Sequence, residues 1–405
     1  MPEAVIVAHT RSPIGRAFKG SLKDIRADDL LAQVVESLLN DLPGLDRDEL
    51  GDLLLGCGLP GGEQGWNMAR RVAVQLGMDR LPGTTITRYC SSSLQTTRMA
   101  FHAIKAGEGT AYISAGVESV SSFARGSSDH FPGTENPFFA DAMERTAGRK
   151  VSNAPWTDPR TDGLVPDVYL DMGETAENVA SVTGISRQRQ DEWALRSQQR
   201  AEAAIKRGHF ASEITSITLA DGTVVSDDDC PRFGTTYDAL AGLKPVFREG
   251  GSVTAGNACP LNDGAAALVV MSDACARELG LTPLARIIST GVTGLSPEIM
   301  GLGPIEATKQ ALAHAGMSVG DIDLAEINEA FAVQVLGSAD ELKLDEDTLN
   351  INGGAIALGH PFGMSGARIT GTLINNLRSQ DKTIGLETMC VGGGQGMAML
   401  IERLA

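Results

Sequence analysis

Cys90 stands where an extended run, Ile86-Thr87-Arg88-Tyr89, gives way to a helical pattern. Leu94, Phe101 and Ile104 follow at i, i+7 and i+10, one face of a helix that Gly107 would end. Ser91, Ser92 and Ser93 fill the first turn, where hydroxyl oxygens can satisfy unpaired backbone N–H groups. A thiol at that point feels the positive end of the helix dipole, which favours its anion. An isolated cysteine is usually structural, and what reverses those odds here is a second half of the chain that supplies partners. Asn328 and Glu329 lie just past an apolar strand in Glu326-Ile327-Asn328-Glu329-Ala330-Phe331. His360 closes the run Asn352-Gly353-Gly354-Ala355-Ile356-Ala357-Leu358-Gly359 and precedes Pro361. Cys390 opens Cys390-Val391-Gly392-Gly393-Gly394-Gln395-Gly396, where glycines let backbone N–H groups close on a reacting oxygen. A thiol activated by a helix end and a neutral imidazole is the equipment of nucleophilic catalysis. Each stretch alone is a weak signal; together they point to one site organised around Cys90.

The elements that must position these groups form an internal repeat at an offset of about 270 residues. An amphipathic helix over 28–39 and a lead-in at 46–50 precede a strand at 52–57. A helix over 304–315 and a lead-in at 318–322 precede a strand at 324–328. Cys90 heads a helix in the first half, and His360, with Pro361 at the first helical position, heads one in the second. After each helix comes a strand, at 111–116 and at 383–388. Two similar α/β halves would therefore bring two helix N-termini, with Cys90 and His360, to one shared site.

Between the halves, from 122 to 251, the pattern loosens into Gly, Pro, Ser and charge, with one clear helix over 186–207. Its arginines (Arg125, Arg149, Arg187, Arg189, Arg196 and Arg232 among them) suggest a lid that supplies local positive charge. Residues 254–257 then turn into an apolar strand at 263–270 that rejoins the first half. Gly56-Cys57-Gly58-Leu59-Pro60-Gly61 fits a dinucleotide fingerprint, but Pro60 obstructs the helix start and a close-packing turn is the better reading.

The 405 residues, 42% apolar and 21% charged, are enough for two or three domains with ample core. A net charge of −17 argues against nucleic acid or an anionic membrane as partner. Six cysteines without CxxC or zinc-like spacing read as reduced thiols, and no metal is expected. No leader segment and no apolar run long enough to span a bilayer is visible, so a soluble, cytoplasmic protein is expected.

As a set, these stretches resemble the thiolases, the coenzyme A-dependent acetyltransferases, along nearly the whole chain. Arg11-Ser12-Pro13-Ile14-Gly15, Ala115-Gly116-Val117-Glu118-Ser119, Met172-Gly173-Glu174-Thr175-Ala176-Glu177-Asn178, Leu243-Lys244-Pro245, Thr254-Ala255-Gly256-Asn257 and Met300-Gly301-Leu302-Gly303-Pro304 carry the resemblance with the site stretches above. It implies an α/β thiolase fold: two duplicated βαβαβαββ halves forming a five-layered α-β-α-β-α core, with an inserted loop domain. The boundaries would be 1–121 plus 252–275 for the N-terminal half, 122–251 for the loop domain and 276–405 for the C-terminal half.

The resemblance also implies a homodimer or a tetramer, CoA thioesters as substrates and no permanently bound cofactor. The reaction would be reversible thiolysis of a 3-oxoacyl-CoA, or Claisen condensation of acetyl-CoA, through an acyl-Cys90 intermediate. Cys390 would be the general acid/base. His360, with a water held by Asn328, would receive the enolate, and the N–H groups of Cys90 and Gly392 would receive the tetrahedral adduct. Arg232, Phe247, Ala255, Cys259, Met172, Ala330 and Phe331 match the cofactor cleft, with Arg232 facing phosphates and Phe247 and Phe331 against the pantetheine.

Four positions depart from the family pattern. Thr87 replaces an asparagine, Ser93 a glycine, Asp171 a histidine of the biosynthetic members and Cys259 a serine that bonds the pantetheine amide. Ser93 is expected to narrow the acyl pocket or tilt its helix. Asp171 would place an anion near the pantetheine path. Two rival functions remain: a decarboxylating condensing enzyme of the ketoacyl synthase type, which Cys390 opposes, and a non-catalytic acyl-CoA or lipid carrier, which the intact Cys90, Asn328, His360 and Cys390 oppose.

Overall fold

Residues 2–126, 129, 133–152 and 154–405 are described by the computed structural model. Strands β1 (Ala4–Arg11), β2 (Leu53–Gly56), β3 (Gly83–Ile86), β4 (Ala111–Ser119) and β5 (Asn262–Ser272) form the sheet of the first half in the order β1-β5-β4-β2-β3. Strands β6 (Ala285–Gly294), β7 (Leu324–Ile327), β8 (Ile384–Val391) and β9 (Gln395–Arg403) form that of the second in the order β6-β9-β8-β7. Both sheets repeat one pairing scheme: β4 runs parallel to β2 and antiparallel to β5, and β8 runs parallel to β7 and antiparallel to β9. Even the partner of β3 survives in the second half, as the parallel bridge of Leu349 to Ala325. Two backbone pairs, Val5 with Arg286 and Ile6 with Ala285, join the sheets.

Three apolar clusters mark the layering. One packs α1 (Ala27–Asn40) and α2 (Met68–Gln75) on the outer face of the first sheet, through Leu30, Leu31, Val34 and Val72 against Val269 and Ile113. The central cluster holds α3 (Ser92–Ala106) and a second long helix, Ser365–Ser379, between the two sheets. The third covers the far face of the second sheet. The order is helix, sheet, helix, sheet, helix. Strand β5 is buried along its whole length because it is covered on both faces, which explains its near-continuous apolar run.

The chain leaves the first sheet after Ser119 and returns at Asn262. The intervening segment contains α4 (Ala140–Ser152), α5 (Met172–Thr183) and α6 (Arg187–Lys206). Only α6 was legible as a helix in the sequence. Ser127, Ser128, His130, Phe131, Pro132 and Asn153 of this segment lie outside the described residues. Apart from Arg232, the arginines named above are committed to ion pairs within the chain. Arg189 and Arg196 pair with Asp340, Glu346 and Asp347 of the second half, Arg149 with Glu298, Arg187 with Asp191 and Arg125 with Glu63. They bind the segment to itself and to the core rather than lending positive charge to a cofactor.

The remaining long helices are α7 (Gly303–Ala315) and α8 (Ala332–Leu342) on the outer face of the second sheet, followed by α9 (Ser365–Ser379), the central helix just described. Helices α3 and α9 meet so closely that a Cβ at Gly366 would lie 2.2 Å from the Leu94 nitrogen. That approach brings the entrances of the two central helices together.

Candidate active site

Cys90 sits in a single 3-10 turn, Tyr89–Ser91, directly before α3. Gly107 ends that helix at φ 75, as its position in the sequence predicted. Tyr89 has φ 42, a conformation that costs a non-glycine residue about 1–3 kcal/mol and therefore needs its surroundings to hold it. The three serines do not cap their own helix. Ser92 Oγ accepts from the Arg88 nitrogen, Ser93 Oγ accepts from the Ala367 nitrogen of α9 at 2.9 Å, and the Ser91 hydroxyl donates to the Arg88 carbonyl. Ser93 thus ties the two central helices to each other.

The turn holding Cys90 packs against both β8, which ends with Cys390 and Val391, and α9. The N–H groups of Gly392 and of Cys90 itself bear on the Cys90 sulfur and favour its anion. Burial outweighs them, however, and pushes the thiol up to about 11. The helix end alone does not make the anion: the resting group is a thiol, and, as the sequence reading had it, a base must take its proton. Cys390 is fully buried and is pushed well above the ordinary thiol range by burial, then by the neighbouring Cys90 and Cys259.

His360 is held as a neutral imidazole, by a route other than the one expected. It does not head a helix, because α9 begins only at Ser365, after a turn closed by the Pro361 carbonyl. Its ring is instead held from both sides. Ser365 Oγ donates its hydrogen to the Pro361 carbonyl at 2.9 Å, which leaves it to accept from His360 Nδ1 at 2.5 Å. The proton therefore sits on Nδ1, and Nε2 keeps its lone pair, to which Asn328 Nδ2 donates at 3.2 Å. Burial first, and the Arg368 guanidinium second, lower the imidazole to about 3, so it is neutral at physiological pH. Ser365, the residue that fixes this tautomer, was not picked out from the sequence. Its only signal there is its place five residues after His360.

Of the residues expected at the cofactor cleft, two line a cavity and the others are joined by neighbouring contacts. Arg232 and Ala255 line a cavity of about 280 Å³ with Gln198, Leu243, Gly256 and Pro260. Arg232 makes no ion pair among the described residues and is exposed. Further in, the Cys259 nitrogen donates to the Ala330 carbonyl at 3.0 Å, and Ala258 bridges Phe331. The Phe331 ring meets Phe247 edge-on at 6.1 Å. Met172 reaches the innermost point: its sulfur lies 3.6 Å from where a Cβ on Gly392 would stand, beside the Tyr89 ring at 3.5 Å. Asp171 faces solvent and lies 3.8 Å from Lys150, so its charge is shared with a cation. Among the described residues no group of His, Cys, Asp or Glu is arranged to hold a metal ion. No described helix is long and apolar enough to cross a membrane.

Comparison with known proteins decides what this arrangement belongs to. The model of the thiolase N-terminal domain matches residues 4–274, and that of the thiolase C-terminal domain matches residues 281–403. The chain belongs to the thiolase family. It is 42% identical to an acetyl-CoA acetyltransferase of Escherichia coli over the full length of both chains. It is 43% identical, again over both full lengths, to a 3-oxoadipyl-CoA/3-oxo-5,6-dehydrosuberyl-CoA thiolase of the same organism. Its fold matches the crystal structure of a Bacillus anthracis acetyl-CoA acetyltransferase with a TM-score of 0.86 and 39% identity, covering 100% of this chain and 99% of that one. A human mitochondrial 3-ketoacyl-CoA thiolase in complex with CoA matches at 0.85 with 34% identity, over 99% of this chain and 98% of that one. This thiolase is accordingly an acyltransferase with the α/β thiolase fold, and neither a decarboxylating synthase nor a carrier is favoured.

Proposed function

We propose that this thiolase transfers an acyl group between a 3-oxoacyl-CoA and CoA through a thioester on Cys90. The reading rests above all on the proton arrangement at His360. A neutral ring with its hydrogen on Nδ1 and a lone pair on Nε2 is a base, and the Cys90 thiol, which burial keeps protonated, requires one. In thiolysis Nε2 accepts the Cys90 proton as the sulfur adds to the keto carbon, and the new alkoxide is held by the N–H groups of Cys90 and Gly392. The bond between the α and keto carbons then breaks. The acetyl-CoA enolate oxygen is held by protonated His360 and by a water on Asn328, while the Cys390 thiol protonates its carbon. The incoming CoA thiol gives its proton to the Cys390 thiolate and attacks the thioester. The departing Cys90 sulfur recovers the proton from His360, and the balance closes. Run backwards, the same steps condense two acetyl-CoA molecules.

CoA would lie along the path from Arg232 and Ala255, past Cys259, Phe247, Ala330 and Phe331, to Met172. Arg232 would sit nearest the nucleotide phosphates, since its charge is otherwise uncommitted. No resident cofactor is required. The N-terminal half is assigned to 1–121 plus 252–275, the loop domain to 122–251 and the C-terminal half to 276–405. A cytoplasmic homodimer or tetramer is the expected form. Thiolysis assayed over straight-chain and dicarboxylic 3-oxoacyl-CoAs, with Cys90→Ala as the blank, tests the reading; turnover that survives in the blank would refute it.

A further inference from the structure

Three features of the first half and one of the second are left unused by the chemistry above: the glycine turn at 56–61, Thr87 and the buried carboxylate of Glu118, and the loop that follows His360. They meet at one place. Glu118 is fully buried near the end of β4. Its Oε2 accepts from the Gly58 nitrogen at 2.6 Å and from the Gly363 nitrogen at 2.8 Å. Its Oε1 accepts from the Leu59 nitrogen at 3.2 Å and from Gln64 Nε2 at 3.2 Å. One carboxylate therefore bonds a loop of the first half and the loop that carries His360, three residues before Gly363.

The Gly58 end of this link continues to the nucleophile. Thr87 Oγ1 donates to the Gly58 carbonyl at 2.6 Å and accepts from the Tyr89 nitrogen at 3.2 Å, directly before Cys90. The glycines at the junction leave no slack. A Cβ on Gly58 would lie 2.7 Å from both Glu118 Oε2 and Phe362 Cβ, and one on Gly116 would lie 2.0 Å from the Gly363 carbonyl oxygen. Asn262 Oδ1 fixes the other side of the loop by accepting from the His360 nitrogen at 2.9 Å.

We propose that Glu118, acting through Gly58 and Thr87, is a positioning residue that sets the distance between the Cys90 sulfur and the His360 imidazole. The inference rests on the acyl-transfer reading, because only that reading requires the two groups to exchange a proton. A hydrogen-bonded chain of this kind matters out of proportion to its stabilising energy, since a displacement of about 1 Å at a reacting pair can cost on the order of 10²-fold in rate. It also explains why Thr87 suffices where relatives have a longer side chain: a hydroxyl both donates to one strand of the link and accepts from the other.

Glu118→Gln, Thr87→Val and Thr87→Ser, assayed by steady-state thiolysis of acetoacetyl-CoA with CoA, test this. Glutamine keeps the shape of Glu118 but sets an N–H₂ group against backbone donors, so kcat should fall on the order of 10²-fold with KM for CoA within about twofold of wild type. Thr87→Val should lose about tenfold in kcat, and Thr87→Ser, which keeps the hydroxyl, should stay within about twofold of wild type. Alkylation of Cys90 by iodoacetamide near neutral pH should slow in Glu118→Gln, because a displaced His360 takes the thiol proton less readily, and should not slow further when Glu118→Gln is added to His360→Ala. A merely structural strut would not separate these readouts. A folded Glu118→Gln with wild-type kcat, or an alkylation rate that stays at the wild-type value while kcat falls, overturns the proposal. If Glu118→Gln fails to fold, equal kcat values for Thr87→Val and Thr87→Ser overturn it. A wild-type protein without thiolysis would refute the acyl-transfer reading itself, which an inactive variant beside an active wild type does not.

Discussion

Asn328 Nδ2 stands 3.2 Å from His360 Nε2, and the other atom of the same amide, Oδ1, is buried with no protein partner. Asparagine therefore does two things at once: it marks the unprotonated ring nitrogen and turns an unused acceptor into the site. Replacing Asn328 with alanine removes both. The expected result is a loss of about 10²–10³ in kcat for thiolysis, with KM for CoA little changed, because the lost interaction forms on the enolate and not on the bound cofactor.

The imidazole must be neutral to take the Cys90 proton, and its protonation is displaced down to about 3. The sign follows directly. An ordinary histidine would lose the base form as the pH fell through about 6.5, whereas His360 keeps it. Single-turnover acylation of Cys90 should therefore be flat between about pH 8 and about pH 5. At the alkaline end, alkylation of the thiol in His360→Ala should rise steeply toward the value of about 11 set by burial. An acid limb centred on the ordinary histidine value would contradict the account.

Cys390 and Cys90 both lie in the buried site, yet only Cys390 follows a strand into a glycine turn. Of the two proton transfers proposed for it, the one at the α carbon has no substitute, whereas the CoA thiol of acyl exchange can trade its proton with water. Cys390→Ala should accept an acyl group from a simple acyl-CoA at a substantial fraction of the wild-type rate while thiolysis of a 3-oxoacyl-CoA falls below detection. Radiolabelled acyl transfer measured beside loss of the 3-oxoacyl-CoA enolate absorbance separates the two steps. Unimpaired thiolysis would sink the assignment.

The closeness of α3 and α9 is a constraint on both stability and rate. At Gly366 an added methyl meets the Leu94 backbone, which cannot give way without moving the helix behind Cys90. Gly366→Ala should destabilise the fold by about 1–3 kcal/mol in denaturant titration, despite the better helix propensity of alanine. Its kcat should fall as well, since the two helix entrances would separate. A more stable variant would show that the helices have room.

How much of this could be read from residues alone depends on whether the cause was local. The helix behind Cys90 and its end at Gly107 were legible, because spacing and a left-handed glycine are local signals. So was the return of residues 263–270 to the first sheet, a short apolar run that follows a turn and is covered along its length. The helix after His360 was placed too early: Pro361 suits a first turn, but its carbonyl instead closes a turn that delays the helix to Ser365. The hydroxyls of Ser92 and Ser93 look like caps in sequence and serve partners four residues back and across the core. The balance of effects at Cys90 was out of reach for the same reason. A helix end is visible in the sequence, but the burial that outweighs it arises only when the two halves close over the thiol. Arginines of the inserted segment looked available as counter-charges because Asp340 and Glu346 are far away in the chain.

The central claim is that the acyl group resides on the sulfur of Cys90. Incubation with acetyl-CoA, acid quench and peptide mass spectrometry test it most directly. The account predicts an acetyl increment on the peptide containing Cys90, discharged by added CoA and absent in Cys90→Ala. An increment on the peptide containing Cys390, or one on Cys90 that CoA fails to discharge, would contradict it.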